Sequence, residues 1–339
     1  MVWQFVPFPS IKPKRQHRWW QALLLAIVVA MGIVACNSDS SLPERNESFI
    51  SDNVNSSELT HTVNHALGST KVSANPKRIV ALSFYAIESL LAMDMQPQGV
   101  IPADRKPHLQ QALKEIPKVG LPTNIEKVLG LQPDLILGTT TIEDIYDQLS
   151  EIAPTVLAQF DGTDSWQAIH RKVGEAINQT EKAEQVLVDY HSRLETLREK
   201  LGNRADTIEI SVARIFPDRV NLVNIGSFSG SILKDAELPR PASQRGDNVY
   251  RSISQEQLQL ADGDVLFVWS HANSPEESRK AQAKIEQLKT DPLWSQLDVV
   301  QEGKVYSVGS HWIGSGPIAA NLVIDDLFRY LVEEEESSS

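Results

Sequence analysis

The sequence predicts an α/β fold of two lobes joined by a single long α-helix, and three observations carry that prediction. Short apolar runs alternate with stretches of helical spacing: Arg78-Ile-Val-Ala-Leu-Ser83 leads into Ala86-Ile-Glu-Ser-Leu-Leu-Ala-Met93, and Gly99-Val-Ile101 follows as a second strand. One unit then occurs twice. Asn124-Ile-Glu-Lys-Val-Leu-Gly-Leu-Gln-Pro-Asp134 runs into Leu135-Ile-Leu-Gly138, and Ser254-Gln-Glu-Gln-Leu-Gln-Leu-Ala-Asp-Gly-Asp264 runs into Val265-Leu-Phe-Val268. The copies align without a gap 130 residues apart, Glu126 on Glu256, Val128 on Leu258 and Asp134 on Asp264. The third observation is a helical run whose apolar positions Ala183, Val186, Leu187, Tyr190, Leu194, Leu197 and Leu201 keep a three-to-four spacing.

In chain order, Leu59 to Leu67 alternates like a hairpin strand and carries His61 and His65. Asn75-Pro76 opens the strand at Arg78 to Ser83. Each copy of the repeat is a short helix opened by a polar N-cap, then a turn and a buried strand of parallel type. Ser165 to Ile177 reads as one amphipathic helix; Gln179 or Thr180 caps the next, which Gly202-Asn203 stops. At 1.5 Å per residue those ~22 residues span about 33 Å, enough for a strut between two small lobes. Ile208 to Ala213 alternates as a strand, Asn221 to Ile225 gives another, Val305 to Val308 the last, and Ile318 to Val332 a closing helix. The resulting organisation is an N-terminal lobe over 58–163, a helical region with the connecting helix over 164–202 and a C-terminal lobe over 203–333. Both lobes are Rossmann-like, the ligand cleft lies between them, and 334–339 form a disordered tail.

Composition narrows the function. The 339 residues are 41% hydrophobic and 22% charged, the profile of a chain with a packed core, and the length allows two domains of about 150 residues. Residues 1–36 hold Lys12, Lys14, Arg15 and Arg18 and no acid, so the rest carries 28 basic against 44 acidic side chains, net −16. So acidic a body is a poor partner for nucleic acid, where affinity comes from neutralising phosphates. A single cysteine, Cys36, excludes an intramolecular disulfide framework and any multi-cysteine metal site.

The N-terminus reads as an address. Its basic residues precede Ala22 to Ala35, 14 residues without a charge, against the ~20 needed to cross a bilayer core. Ile33-Val-Ala-Cys36 is similar to a bacterial lipoprotein signal, which implies cleavage before Cys36 and lipid on that cysteine. Residues 1–35 are then a signal peptide. Residues 36–57, whose last 21 include seven Ser and four Asn, are a flexible tether.

Several chemistries lack their motif. Gly226-Ser-Phe-Ser-Gly230 puts Phe228 where a nucleophile elbow needs serine, Gly314-Ser-Gly316 is too short for a dinucleotide fingerprint, and neither a phosphate loop nor a His-Glu-x-x-His occurs. His61 and His65 share a strand face, either as a weak metal site or as ordinary polar residues. What remains is a set of polar and aromatic side chains at strand ends: Ser83-Phe-Tyr85, Thr139-Thr-Thr141, Arg214, Trp269-Ser-His271 and His311-Trp312. Open α/β sheets bind ligands beyond the carboxyl ends of their strands, so these residues mark a cleft, although each alone could equally edge the core.

Over about residues 60–333 the chain resembles the substrate-binding proteins of ABC importers for iron siderophores and vitamin B12. The resemblance is carried by His65-Ala-Leu-Gly-Ser-Thr-Lys71, Asn75-Pro-Lys-Arg-Ile-Val-Ala-Leu82, Asn124-Ile-Glu126 with Leu131-Gln-Pro-Asp-Leu135, and Ile152-Ala-Pro-Thr-Val156. Asp291-Pro-Leu-Trp294, Trp312-Ile-Gly-Ser-Gly-Pro317 and Asp325-Asp-Leu327 complete it. It implies two lobes on one long helix, no enzymatic activity, no cofactor and no metal held directly. The implied ligand is a ferric siderophore or ferric citrate, with cobalamin or haem as the alternative within the fold and an enzyme on a related scaffold as the alternative outside it. The implied partners are a permease and ATPase complex, met by Glu126 and Glu256, and a membrane reached through Cys36, the protein being a monomer facing the periplasm or cell exterior. An anionic chelate suits arginine, whose planar fork binds carboxylates in pairs: Arg105, Arg214 and Arg251 first, then Arg240 and Arg245. Tyr85, Tyr250, Trp269 and Trp312 would wall the site, with His271 at its edge. Hydroxamate-binding members place an Arg after the Gly-Leu that precedes the docking helix; here Gly120-Leu-Pro122 stands instead, which departs from a simple hydroxamate binder.

Overall fold

The computed structural model describes residues 59–163, 165–270 and 275–333. Cys36, the signal, the tether, His271 and the tail lie outside the described residues. No described helix is long and apolar enough to cross a membrane.

The first lobe opens with an antiparallel hairpin, β1 (Thr60–His65) and β2 (Gly68–Ser73), in register from Thr60 opposite Ser73 to His65 opposite Gly68. Gly68 takes φ +132°, which closes the turn and suits a residue without Cβ. There follow β3 (Ile79–Ala81), α1 (Phe84–Ala92), β4 (Gly99–Val100), α2 (Pro107–Leu113), α3 (Ile125–Gly130), β5 (Leu135–Thr139), α4 (Tyr146–Ile152) and β6 (Thr155–Ala158). The strands form a parallel sheet in the order β4-β3-β5-β6, and every residue of β3, β5 and β6 is buried, as a sheet covered on both faces requires. Ser83 starts α1 by accepting from the Ala86 N–H at 3.1 Å.

Two helices lead onward, α5 (Trp166–Ala176) and the strut α6 (Thr180–Leu201). Along the strut, Ala183 belongs to the core of the first lobe, whereas Leu187, Tyr190, Leu194, Leu197 and Leu201 belong to that of the second. The helix thus joins the two cores through its own buried stripe, each buried leucine contributing roughly 2 kcal/mol. The Tyr190 hydroxyl donates to Asp235 at 2.8 Å, and the helix stops where Gly202 takes φ +56°.

The second lobe comprises β7 (Ile210–Ile215), β8 (Val220–Val223), α7 (Phe228–Asp235), β9 (Tyr250–Ile253), β10 (Val265–Trp269), α8 (Pro275–Lys289), α9 (Pro292–Ser295), α10 (Asp298–Gln301), β11 (Val305–Ser307) and α11 (Pro317–Phe328). Its sheet runs β11-β10-β7-β8-β9, with β8 antiparallel to both neighbours.

The repeat is visible in three dimensions. Each copy feeds an inner strand, β5 beside β3 and β10 beside β7. The Asp134 carboxylate accepts the Lys77 and Arg78 N–H groups at 2.9 and 2.8 Å, just before β3. Asp264 accepts the Glu209 N–H at 2.7 Å, just before β7. One carboxylate therefore pins the start of the neighbouring strand in each lobe. The copies differ in one respect: Asn124 caps a true α-helix, whereas Ser254, in a capping box with Gln257, opens a 3-10 turn over Gln255–Ala261.

A buried polar seam ties the lobes together a second time. Glu88 of α1 has no exposed surface, and its carboxylate accepts the Ala319 N–H at 2.8 Å in the first turn of α11, whose own N-cap, Gly316, has no side chain to offer. His108 of α2 lies 3.3 Å from the same carboxylate. Lys106 donates to the Ile313 carbonyl at 2.8 Å across the same junction, and burial lowers its pKa while Glu88 acts the other way. The backbone comes so close that a Cβ on Gly316 would sit 2.7 Å from that of Glu88.

Candidate functional site

The carboxyl ends of the parallel strands gather the candidate residues. In the first lobe Tyr85 is half-buried, packs against the cores of both lobes, and lies 5.5 Å, ring to ring, from Phe160 just after β6. Lys106 stands 5.3 Å above the Phe84 ring, and Arg105 is exposed in the loop after β4. Thr139 and Thr141 share a hydrogen bond of 2.9 Å, and the Phe160 N–H donates to Thr140 at 3.1 Å, fixing the rim.

In the second lobe Arg214, near the end of β7, lies 4.3 Å from the Phe216 ring, and Arg219 lies 4.1 Å from that same ring. The turn between β7 and β8 makes this possible: the Phe216 N–H donates to the Arg219 carbonyl at 2.9 Å. Burial first, then the charge of Arg219, pull the Arg214 pKa down, and Tyr250 acts in the opposite sense. An arginine keeps its proton through such a shift, so two cations share one ring, and the Asp218 carboxylate, 2.9 Å from Arg219, offsets part of that charge. An anion seated beside Arg214 would offset its desolvation, the larger of the two effects.

Sheet register decides which candidates share a face. Trp269 pairs with Arg214, Arg214 with Asn221, and Asn221 with Ser252. Side chains alternate along a strand, so Tyr250 starts on the same face as Arg214 while Arg251 starts on the other. The structure therefore brings Tyr250 and Arg214 together and separates Arg251 from them.

Other candidates are placed elsewhere. Trp269 and Trp312 are 1% and 0% exposed. The Trp312 indole N–H donates to Asp326 at 2.8 Å, beside His311 on the same oxygen at 2.7 Å, and its ring lies 4.6 Å from Phe267 and 6.4 Å from Trp269. Both tryptophans are buried in the core rather than lining its surface, Trp312 held by its polar anchor and both by the aromatic cluster. Arg240 is buried, donating to the Ile210 carbonyl at 2.7 Å and the Val223 carbonyl at 2.6 Å, and Arg245 pairs with Glu209 at 2.9 Å. Glu209 and Ile210 mark the amino end of β7, so these arginines brace the end of the sheet away from Arg214. His61 meets the Glu175 carbonyl and His65 meets Thr70, each at 2.9 Å. No group of three His, Cys, Asp or Glu suited to a metal ion occurs among the described residues.

Glu126 and Glu256 are both exposed and both follow chain segments that run parallel to the central strands: Lys118 bridges Val100 of β4 in parallel, and β9 runs with β7. They stand at the same ends of the sheets as the candidate residues Arg214 and Tyr85. The Ser254 hydroxyl first, then its own backbone N–H, hold the Glu256 carboxyl below the usual carboxylate range.

Sequence reasoning missed Phe216, Arg219 and Phe160 at the rim and Glu88, Lys106 and His108 in the seam. Phe216-Pro-Asp-Arg219 did carry a turn signal, Pro-Asp between two strands, which would have placed the ring and the second arginine beside Arg214. The seam has no local signature, since its members lie 20 and 231 residues apart.

Comparison with known proteins agrees with this architecture. A family model described as periplasmic binding protein matches residues 79–311. The probable siderophore-binding lipoprotein YfiY of Bacillus subtilis is 32% identical over 329 residues, covering 92% of this chain and 97% of its own length. The Fe(3+)-citrate-binding protein YfmC of the same organism is 28% identical, covering 84% and 86%. Among solved structures, Staphylococcus aureus SirA complexed with staphyloferrin B superposes with a TM-score of 0.71 at 25% identity, over 80% of this chain and 98% of that one. With more than half of its length matched by that model and a relative aligned almost end to end, the chain belongs to the periplasmic binding protein family.

Proposed function

We propose that the protein is the substrate-binding component of an ABC importer, capturing a ferric siderophore or ferric citrate complex between its lobes and handing it to a membrane permease with its ATPase. The observation that carries the reading is the pair of guanidiniums, Arg214 and Arg219, over the Phe216 ring. A site built from two cations and an exposed tyrosine, Tyr250, suits an anionic chelate whose carboxylates take charge-assisted hydrogen bonds. Tyr85 and Arg105 would line it from the first lobe, whereas Arg251, on the other face of the edge strand, lies outside it. Iron is cargo, held by the chelator rather than by protein ligands. Glu126 and Glu256 offer a carboxylate from each lobe to basic pockets on the permease, and lipid on Cys36 keeps the monomer at the membrane.

The test is intrinsic tryptophan fluorescence titrated with ferric citrate, ferric staphyloferrin B, hydroxamates, catecholates, cobalamin and haem. Trp269 pairs with Arg214 in the sheet, so an occupant of the site lies next to a reporter. Quenching by an anionic ferric chelate is expected. Quenching by cobalamin or haem alone would assign the fold's other ligand class, and no response to any ferric chelate would overturn the iron reading. Glu126→Ala combined with Glu256→Ala is expected to abolish uptake and leave chelate affinity unchanged.

A further inference from the structure

Among the described residues the exposed large hydrophobic side chains are Val188, Val249, Tyr250 and a set of leucines. Among the described residues five stand out, Leu59, Leu67, Leu121, Leu129 and Leu293, exposed to 80, 40, 56, 57 and 39%. Three of the five lie on the segments that carry the two carboxylates assigned to docking or pack against them.

Leu129 follows Glu126 by three residues on α3, so the two side chains share a helix face. Leu121 sits in the tight turn that enters the helix, where Gly120 takes φ +97° and the Asn124 N–H donates back to the Val119 carbonyl at 2.8 Å. Leu293 belongs to α9, which packs against the 3-10 turn carrying Glu256; the Gln255 side-chain amide donates to Asp291, the N-cap of α9.

The fold does not require these leucines. The repeat uses Val128 and Leu258 for its buried position, and both are 0 to 1% exposed. At the next position the first lobe has Leu129 and the second has Gln259, so the repeat folds with either an apolar or a polar side chain there. The second lobe presents its leucine from a different element. Two lobes have thus arrived by separate routes at one surface composition, an exposed carboxylate with an exposed leucine at its side.

We propose that Leu121, Leu129 and Leu293 are contact residues for the permease, which fits them with an apolar ledge beside each basic pocket. The inference rests on the docking role of Glu126 and Glu256. Charge complementarity names the occupant: an exposed carboxylate on each lobe of a body of net −16 selects a basic partner over a second copy of this chain. The leucines supply the desolvated apolar area that exposed ion pairs lack, and covering the half of each side chain now in water changes affinity by about tenfold.

The test uses cells lacking this chain, complemented with full-length variants at equal abundance, and radioiron carried by the chelate that quenches fluorescence in the titration. Leu121→Ser with Leu129→Gln and Leu293→Gln is expected to lower uptake at least tenfold while chelate affinity and thermal midpoint stay unchanged. If the leucine variant transports within twofold of the parent while Glu126→Ala with Glu256→Ala abolishes uptake, the leucine contact is overturned and docking through the carboxylates stands. If the carboxylate variant also transports normally, the docking role itself falls. Loss of chelate affinity or folding in the leucine variant would make the leucines structural and equally overturn the proposal.

Discussion

Replacing Glu88 by alanine should cost about 3 kcal/mol of stability although the residue is remote in sequence from everything it touches. Its carboxylate accepts the Ala319 N–H at 2.8 Å with no exposed surface, a bond to a charged group of the kind worth ~1.5–3 kcal/mol. The carboxylate also abuts the first turn of α11, where the positive end of the helix dipole favours it. The two contributions describe overlapping electrostatics and are not summed. Alanine leaves the Ala319 N–H buried without an acceptor and leaves Lys106 and His108 facing the gap, which sets the size of the loss. Glutamine keeps an acceptor oxygen and should cost about 1 kcal/mol. Urea unfolding followed by circular dichroism and tryptophan fluorescence measures both, with slopes compared so that a change in midpoint reads as stability. A Glu88→Ala variant within 0.5 kcal/mol of the parent, or a glutamine variant as damaged as the alanine one, would refute the reasoning.

Three further predictions follow from single side chains. Burial pulls the His170 pKa from 6.5 to about 4, so on acidification the unfolded chain takes the proton first; stability is intact above about pH 6.5 and falls toward pH 4. The loss between pH 7 and 5 is about 2 kcal/mol, read from urea midpoints, and His170→Gln should flatten that limb. Tyr190→Phe removes the 2.8 Å bond to Asp235, which keeps its 2.8 Å bond from Gln167, so a loss of about 1 kcal/mol is expected in the same assay and none would place the hydroxyl outside the fold's energetics. Arg214→Ala should weaken binding of an anionic ferric chelate by about tenfold to a hundredfold, and Arg214→Lys should not restore it, because an ammonium cannot give two parallel hydrogen bonds; full rescue by lysine would reduce the residue to a point charge.

How much of this was legible in the sequence depended on distance along the chain. The strut could be read residue by residue, because a buried helical stripe repeats every three to four positions, and the buried set runs Ala183, Leu187, Tyr190, Leu194, Leu197, Leu201. The strand ends were legible because a parallel strand announces itself by an apolar run and a polar stop. Which stops face the ligand was not legible. Trp312 looked like a cleft wall until Asp326 took its indole N–H, and Arg251 looked equivalent to Arg214 until the register put it on the other face of the edge strand. Period-two alternation fixes such a choice only once the pairing partner is known. The seam was hidden for the same reason, Glu88 reading as one polar residue in an apolar helix.

The seam bears on how the site works. Two lobes joined only by a hinge would meet a ligand in many relative orientations, and closing them would oppose binding. Here the strut enters both cores, and Glu88 and Lys106 each make hydrogen bonds that cross from one lobe to the other. Opening the lobes would expose a buried carboxylate and a buried ammonium together, so Tyr85 and Arg214 are held in place before a ligand arrives. At the proposed site an anion would offset the desolvation of Arg214 and a neutral chelate would not. On the proposed reading, selection between ligands follows from charge at a fixed site, and the same rigidity fixes the span between Glu126 and Glu256 that a permease would read.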